Sequence, residues 1–171
     1  MKIIFIIFSL FLLTGCLNND MKPIDFKDQK PRLIIEEYLS GSVKAYGILQ
    51  NRSGKVTRQF TADLNGKWDG KQLILDEKFH WSDGEIQTRQ WQITKIDEHH
   101  YEGTAEDVVG IAKGFSYGPA FKFEYVLLVP VKGKNMKITF DDWIFKQDDK
   151  VAINRATMTK FGIKVGELTV L

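Results

Sequence analysis

From Gly41 onward, apolar and polar residues alternate with a period of two through almost the whole chain. Successive side chains of a strand point to opposite faces, so this period calls for β-strands with one buried face. Candidate strands cover 43–50, 55–64, 71–81, 85–96, 99–106, 121–130, 135–146, 150–158 and 163–171. The stretches "NRSG", "NGKWDG", "SDG", "KGKN" and "QDD" separate most of them. Short strands joined by short turns predict an all-β antiparallel meander, closed into a barrel or folded as a sandwich. Two segments depart from the pattern. "RLIIEEYLSG", residues 32–41, reads as a short N-terminal helix, with Leu33, Glu36, Glu37 and Ser40 fitting either state. "DVVGIAKGFSYGPA", residues 107–120, reads as a lid or as a strand with bulges.

Turn chemistry carries the argument to register. Ser82-Asp83-Gly84 makes a three-residue hairpin loop, with Gly84 where a positive φ is needed. That loop sets Leu73 opposite Ile93, Leu75 opposite Trp91 and Glu77 opposite Arg89. A two-residue loop would set Leu75 against Gln92 and waste the apolar face. In "TFDDWIFKQDDKVAINRAT", residues 139–157, an even loop sets Ile144 opposite Ile153, Phe140 opposite Thr157 and Asp142 opposite Arg155. Each hairpin then carries an acid facing an arginine on its apolar side, close enough to interact. Glu77 with Arg89, and Asp142 with Arg155, are thus expected as buried charge pairs. Arg58 shares the parity of Val56, Phe60, Ala62 and Leu64, and the facing strand 43–50 offers no acid. It is a candidate for holding an anionic head group inside the fold. The competing reading turns Arg58 to a rim or to an acid from elsewhere in the chain.

The N-terminus is of a different kind. Lys2 precedes an apolar run from Ile3 to Leu13. Spanning a bilayer takes about 20 apolar residues, so this shorter run predicts a secretory signal. It ends in Leu13-Thr14-Gly15-Cys16, which matches the lipobox of bacterial lipoproteins. The expected layout is a signal peptide over 1–15, a lipidated Cys16 with a flexible tether over 16–31, and a β-barrel domain over 32–171. Acyl chains on Cys16 make the membrane the expected partner, since several chains together anchor far more firmly than one. Leu17 stands where an Asp commonly retains lipoproteins at the inner membrane of enteric bacteria. Its presence predicts an outer-membrane anchor with the barrel in the periplasm. Cys16 is the single cysteine, so no disulfide within the chain is expected.

Several chemistries lack their residues. The 24 basic and 22 acidic side chains give a net charge of +2 and no basic cluster, so no nucleic-acid partner is expected. His80 falls on an outward parity and His99-His100 in a turn, which predicts no metal site. No phosphate-binding glycine loop or nucleophile elbow is present, and no cofactor is expected. Glu77 and Asp142 resemble a glycosidase pair only until each is given its facing arginine, which keeps both ionised. No catalytic residue is assigned, and a non-enzymatic protein is expected.

The stretches "VKAYGILQNRSGKVTRQF", "NGKWDGKQLILDEKFHWSDGE", "YEGTAEDVVGIAKG" and "FDDWIFKQDDKVAINRATMTKFGIKVGE" together resemble the bacterial lipoprotein family catalogued as domain of unknown function 3833. The resemblance spans nearly the whole chain after Cys16. It implies an up-and-down, lipocalin-like barrel of about 8–10 strands and no established activity. The expectation that follows is a barrel that binds or shuttles a lipid, such as a fatty acid, or another apolar ligand. Trp91, Phe123, Tyr125, Phe140 and Trp143 are the candidate wall residues, with Arg58 for the head group. The alternative is an interaction or assembly module of the cell envelope with a filled core. Strand parity reads the same for a hollow barrel and a packed one, so cavity volume is the observation that separates them.

Overall fold

A computed structural model of the chain describes residues 21–131 and 133–171. The expected signal peptide, Cys16 and the start of the tether lie outside the described residues. Ten antiparallel strands run in sequence: β1 (Gly41–Asn51), β2 (Val56–Trp68), β3 (Gln72–Trp81), β4 (Ile86–Lys95), β5 (His100–Thr104), β6 (Ala112–Tyr117), β7 (Ala120–Val131), β8 (Lys134–Lys146), β9 (Ala152–Lys160) and β10 (Ile163–Val170). Each pairs with its neighbours in sequence, and β10 returns to β1, so the up-and-down sheet closes into a barrel. Closure removes the unpaired edges that an open sheet would present.

One strand more is present than the nine read from the alternation, and it comes from the break at 107–120. β6 sends Ala112, Gly114 and Ser116 inward, all small or polar, and leaves Phe115 and Tyr117 only partly covered outside. Tyr117 stacks on His99 with ring centroids 4.2 Å apart, and Phe115 meets His100 edge-on at 5.8 Å. The large rings therefore sit on the outer face, which inverts the usual hydrophobic signal of a strand. Gly114 has a packing reason, because a Cβ there would lie 2.9 Å from the Phe121 ring.

The β3–β4 hairpin has the register that its loop chemistry dictates: Leu73 faces Ile93, Leu75 faces Trp91 and Glu77 faces Arg89. Gly84 has φ of 89°, as the loop requires. The β8–β9 hairpin departs from expectation by one residue. Asp142 faces Ala156, Ile144 faces Asn154 and Phe140 faces Met158. The loop is odd, not even: Gln147 N–H donates to Val151 C=O at 2.8 Å, leaving Asp148-Asp149-Lys150 as its three residues. The Asp148 carboxylate fixes this turn by accepting from the N–H groups of Lys150 and Val151 at 2.7 and 2.8 Å. A one-residue slip moves a whole strand's side chains to the other face. Asn154, Ala156 and Met158 therefore point inward, while Ile153 and Arg155 are exposed. The expected Asp142–Arg155 pair does not form; Arg155 bonds to Glu167 on β10 at 3.1 Å.

The short helix is a single turn, α1 (Ile35–Tyr38), set across the end of the barrel where β1 begins. Leu33, Ile35 and Leu39 pack there against Leu73, Ile93 and Phe121 and close that end with apolar side chains. Glu36 enters the same packing and is 4% exposed. Burial pushes its carboxyl up, but bonds from Lys95 and from the Tyr101 hydroxyl outweigh this and hold it below its ordinary value. Residues 21–31 were expected to belong to a flexible tether. They carry a 3-10 turn at Pro23–Phe26, and Phe26 rests on the outside of β8 against Trp143 and Phe145.

Candidate ligand-binding cavity

Inside the barrel, beneath α1, lies a cavity of about 360 Å³. Its wall is largely aromatic and aliphatic, because β2, β3, β4 and β7 each turn their apolar parity toward it. Trp91 and Phe123 pack at 5.0 Å between ring centroids, and Trp91 meets Tyr125 edge-on at 5.3 Å. On the β1–β2 side, Phe60 and Phe79 form a second aromatic pair at 5.3 Å. Two glycines make room for these rings. A Cβ on Gly103 would lie 2.5 Å from Phe123, and one on Gly47 would lie 2.2 Å from Phe60. Tyr38 and Leu39 cover the end of the cavity nearest α1.

One pole of the cavity is polar, at mid-height in the barrel. Arg89 reaches inward from β4 and holds Asp107 with two parallel bonds, Nε to Oδ1 at 3.0 Å and Nη2 to Oδ2 at 2.6 Å. Asp107 arrives on the segment between β5 and β6, which is stitched along β7 by Val109 N–H to Val126 C=O and by Leu128 N–H to Asp107 C=O, both 2.8 Å. Glu77 stands on the other side of Arg89 at 3.7 Å, and its Oε2 is buried with no hydrogen-bond partner. Burial lifts the Glu77 carboxyl to about 7, with Arg89 opposing the rise and Asp142 and Asp107 adding to it. Asp142 accepts from the Tyr125 hydroxyl at 2.9 Å and from the Asn154 amide. Burial raises Asp142 too, against those two bonds. Burying a carboxylate disfavours its charged form, and neither acid has an arginine to itself.

The residues singled out from the sequence are thus divided among several places. Trp91, Phe123 and Tyr125 line the cavity, and Glu77, Arg89 and Asp142 form its polar pole. Phe140 is stacked behind Tyr125 at 5.1 Å and belongs to a packed cluster with Leu127, Ile138 and Ala156, so it backs the wall. Trp143 is not in the wall. Because Phe140, Asp142 and Ile144 take the inward parity, Trp143 faces outward and is covered by Phe26. Arg58 is neither unpaired nor in the cavity. Phe60 faces Trp81 across β2–β3, so Arg58 reaches just past Trp81 to the hairpin loop. There it bonds Asp83 at 2.7 Å and Glu85 at 2.8 Å and lies 4.0 Å over the Trp81 ring.

Asp107 and Asn154 complete the pole and were not found from the sequence. Asn154 becomes visible only in the odd-loop register. Asp107 lies in the segment where alternation fails, and no pattern in the sequence singles it out. Among the described residues, no three His, Cys, Asp or Glu side chains converge as a metal site.

Fold and cavity together define a closed up-and-down β-barrel with an internal, aromatic-walled pocket. Residues 10–171 match the family described as "Protein of unknown function (DUF3833)", and the chain belongs to that family. No curated protein matches it.

Proposed function

We propose that this protein is a lipoprotein of the bacterial cell envelope that binds an apolar or amphiphilic ligand in its barrel without performing chemistry on it. The observation that carries this reading is the cavity. At about 360 Å³ it falls within the roughly 300–1,000 Å³ of small-molecule sites, and its aromatic wall with a few convergent polar groups fits that class. A filled core is the premise of the assembly-module alternative, and a cavity of this size counts against it. At roughly 30 Å³ per heavy group, the liquid share of one water, the space holds about a dozen such groups.

The anchor rests on the sequence alone. Leu13-Thr14-Gly15-Cys16 supports cleavage before Cys16 and its acylation, and Leu17 supports an outer-membrane destination facing the periplasm. Cys16→Ser should leave an uncleaved or soluble form. A Cys16→Ser variant that still fractionates wholly with membranes after a carbonate wash sinks the anchor. Ligand binding is tested by extracting the protein purified from its own cells and identifying bound lipid by mass spectrometry. Stoichiometric recovery of one amphiphile class supports the reading, and an empty protein that binds no alkyl probe refutes it.

A further inference from the structure

The polar pole of the cavity has a charge balance that selects among ligands. Three carboxyl groups, Glu77, Asp107 and Asp142, gather around one guanidinium, Arg89. Asp107 occupies that guanidinium on two of its nitrogens. Asp142 has both oxygens engaged, one by Tyr125 and one by Asn154. What remains is an acceptor: Glu77 Oε2, buried, on the cavity wall, without a hydrogen-bond partner and 3.7 Å from Arg89 Nη1. Lys44 and Lys150 border the cavity too, but the Lys44 ammonium is bound to Asp63, and Lys150 meets Tyr38 of α1 through its backbone C=O.

We infer that the pole recognises an amphiphile by a head that donates hydrogen bonds and carries no negative charge, an alkyl amine or alcohol, with Glu77 Oε2 as its acceptor. This rests on the reading of the barrel as a ligand carrier and narrows it. An anionic head such as a fatty-acid carboxylate would bring a fourth negative group to a guanidinium already held by Asp107. A donor head instead satisfies Glu77 Oε2, a buried acceptor on the cavity wall that lacks a partner, and an unsatisfied buried acceptor is costly. The alkyl chain then lies along Trp91 and Phe123 toward Tyr38 and Leu39.

Brominated chains test this directly, because bromine quenches an indole that it touches. The full chain, held in phosphatidylcholine nanodiscs at pH 8, is titrated with 6-bromohexylamine, 6-bromohexanol and 6-bromohexanoate, short enough for the cavity and for the bromine to stay beside Trp91, while tryptophan fluorescence is followed. Trp91→Phe isolates the part of the quenching that comes from the cavity. The expected result is quenching of Trp91 by the amine and the alcohol at concentrations about tenfold lower than by the acid, the factor of a single charge-assisted or neutral buried hydrogen bond. Glu77→Gln should erase most of the amine's advantage and bring the acid closer to the other two. Equal binding of all three heads, or tightest binding of the acid, overturns the head-group assignment while the carrier reading stands. Unchanged head-group preference in Glu77→Gln also overturns it. Absence of Trp91 quenching by any chain overturns the carrier reading itself.

Discussion

Arg58 and Arg89 make an instructive pair. Both leave the inward face of their strands, β2 and β4, and both meet two carboxylates and lie near a tryptophan ring. They differ in depth. The acids around Arg58 keep about half of their side-chain surface in water, at 53% each. Glu77 and Asp107 around Arg89 keep only 12% and 29%. The consequence appears in the acids. The bond from Arg58 holds the Asp83 carboxyl below its ordinary value, whereas burial carries Glu77 up to about 7 despite Arg89. The arginine at the rim thus stabilises the solvated Asp83 carboxylate, while the one at mid-barrel only partly offsets what desolvation has taken from Glu77.

Removing Arg89 should have the largest effect. Arg89→Ala leaves Glu77 and Asp107 buried without a counter-charge and should cost about 3–5 kcal/mol in urea unfolding. Replacing Arg89 and Asp107 together with apolar residues should recover much of that loss. Simple additivity of the two changes would show that they do not act as a pair.

Glu77→Gln is next in size, with a sign that runs opposite to ordinary salt-bridge loss. The folded state holds the Glu77 proton up to about pH 7, and the unfolded chain releases it near 4.5. The folded form therefore binds more protons in that window, and stability falls as pH rises from 4.5 to 7. The loss is complete above pH 7 and amounts to about 3 kcal/mol at one pKa unit per 1.36 kcal/mol. Glu77→Gln should flatten this slope and unfold later than the wild type at pH 8. Some slope should persist, because burial raises Asp142 in the same direction. An unaltered pH profile of the melting temperature would contradict the assignment.

At the rim, the effects should be small. Arg58→Ala should cost about 1 kcal/mol, chiefly through the lost stacking on Trp81, and less in high salt. Arg155, with a side chain 62% exposed, should cost about 0.5 kcal/mol or less on change to alanine. A loss at Arg155 as large as that at Arg89 would restore the buried Asp142–Arg155 pair that the β8–β9 register denies.

The two hairpins show how far residues alone carry the argument. In β3–β4 the loop glycine and the apolar face favour the same register, and Leu75, Trp91, Glu77 and Arg89 follow from it. In β8–β9 they conflict: Val151 and Ile153 suggest an apolar inward face, while the Asp148 turn sets the opposite one. The turn prevails because its hydrogen bonds are local and exacting, and because Ala156 and Met158 can fill the interior as well as larger residues would.

The period of two, the turn stretches and the inward parity of β2, β3 and β4 are properties of consecutive residues, so the sequence by itself determined an all-β meander and the polar pair inside it. Which strand end lies beside which loop is not local. The stagger between β2 and β3 gave Arg58 its acids, the path of the β5–β6 segment gave Arg89 Asp107, and Phe26 folding back gave Trp143 its cover. The cavity belongs to this second group. Parity states which side chains point inward, but only the closure of ten strands and the depth each ring reaches decide whether they meet or leave about 360 Å³ between them.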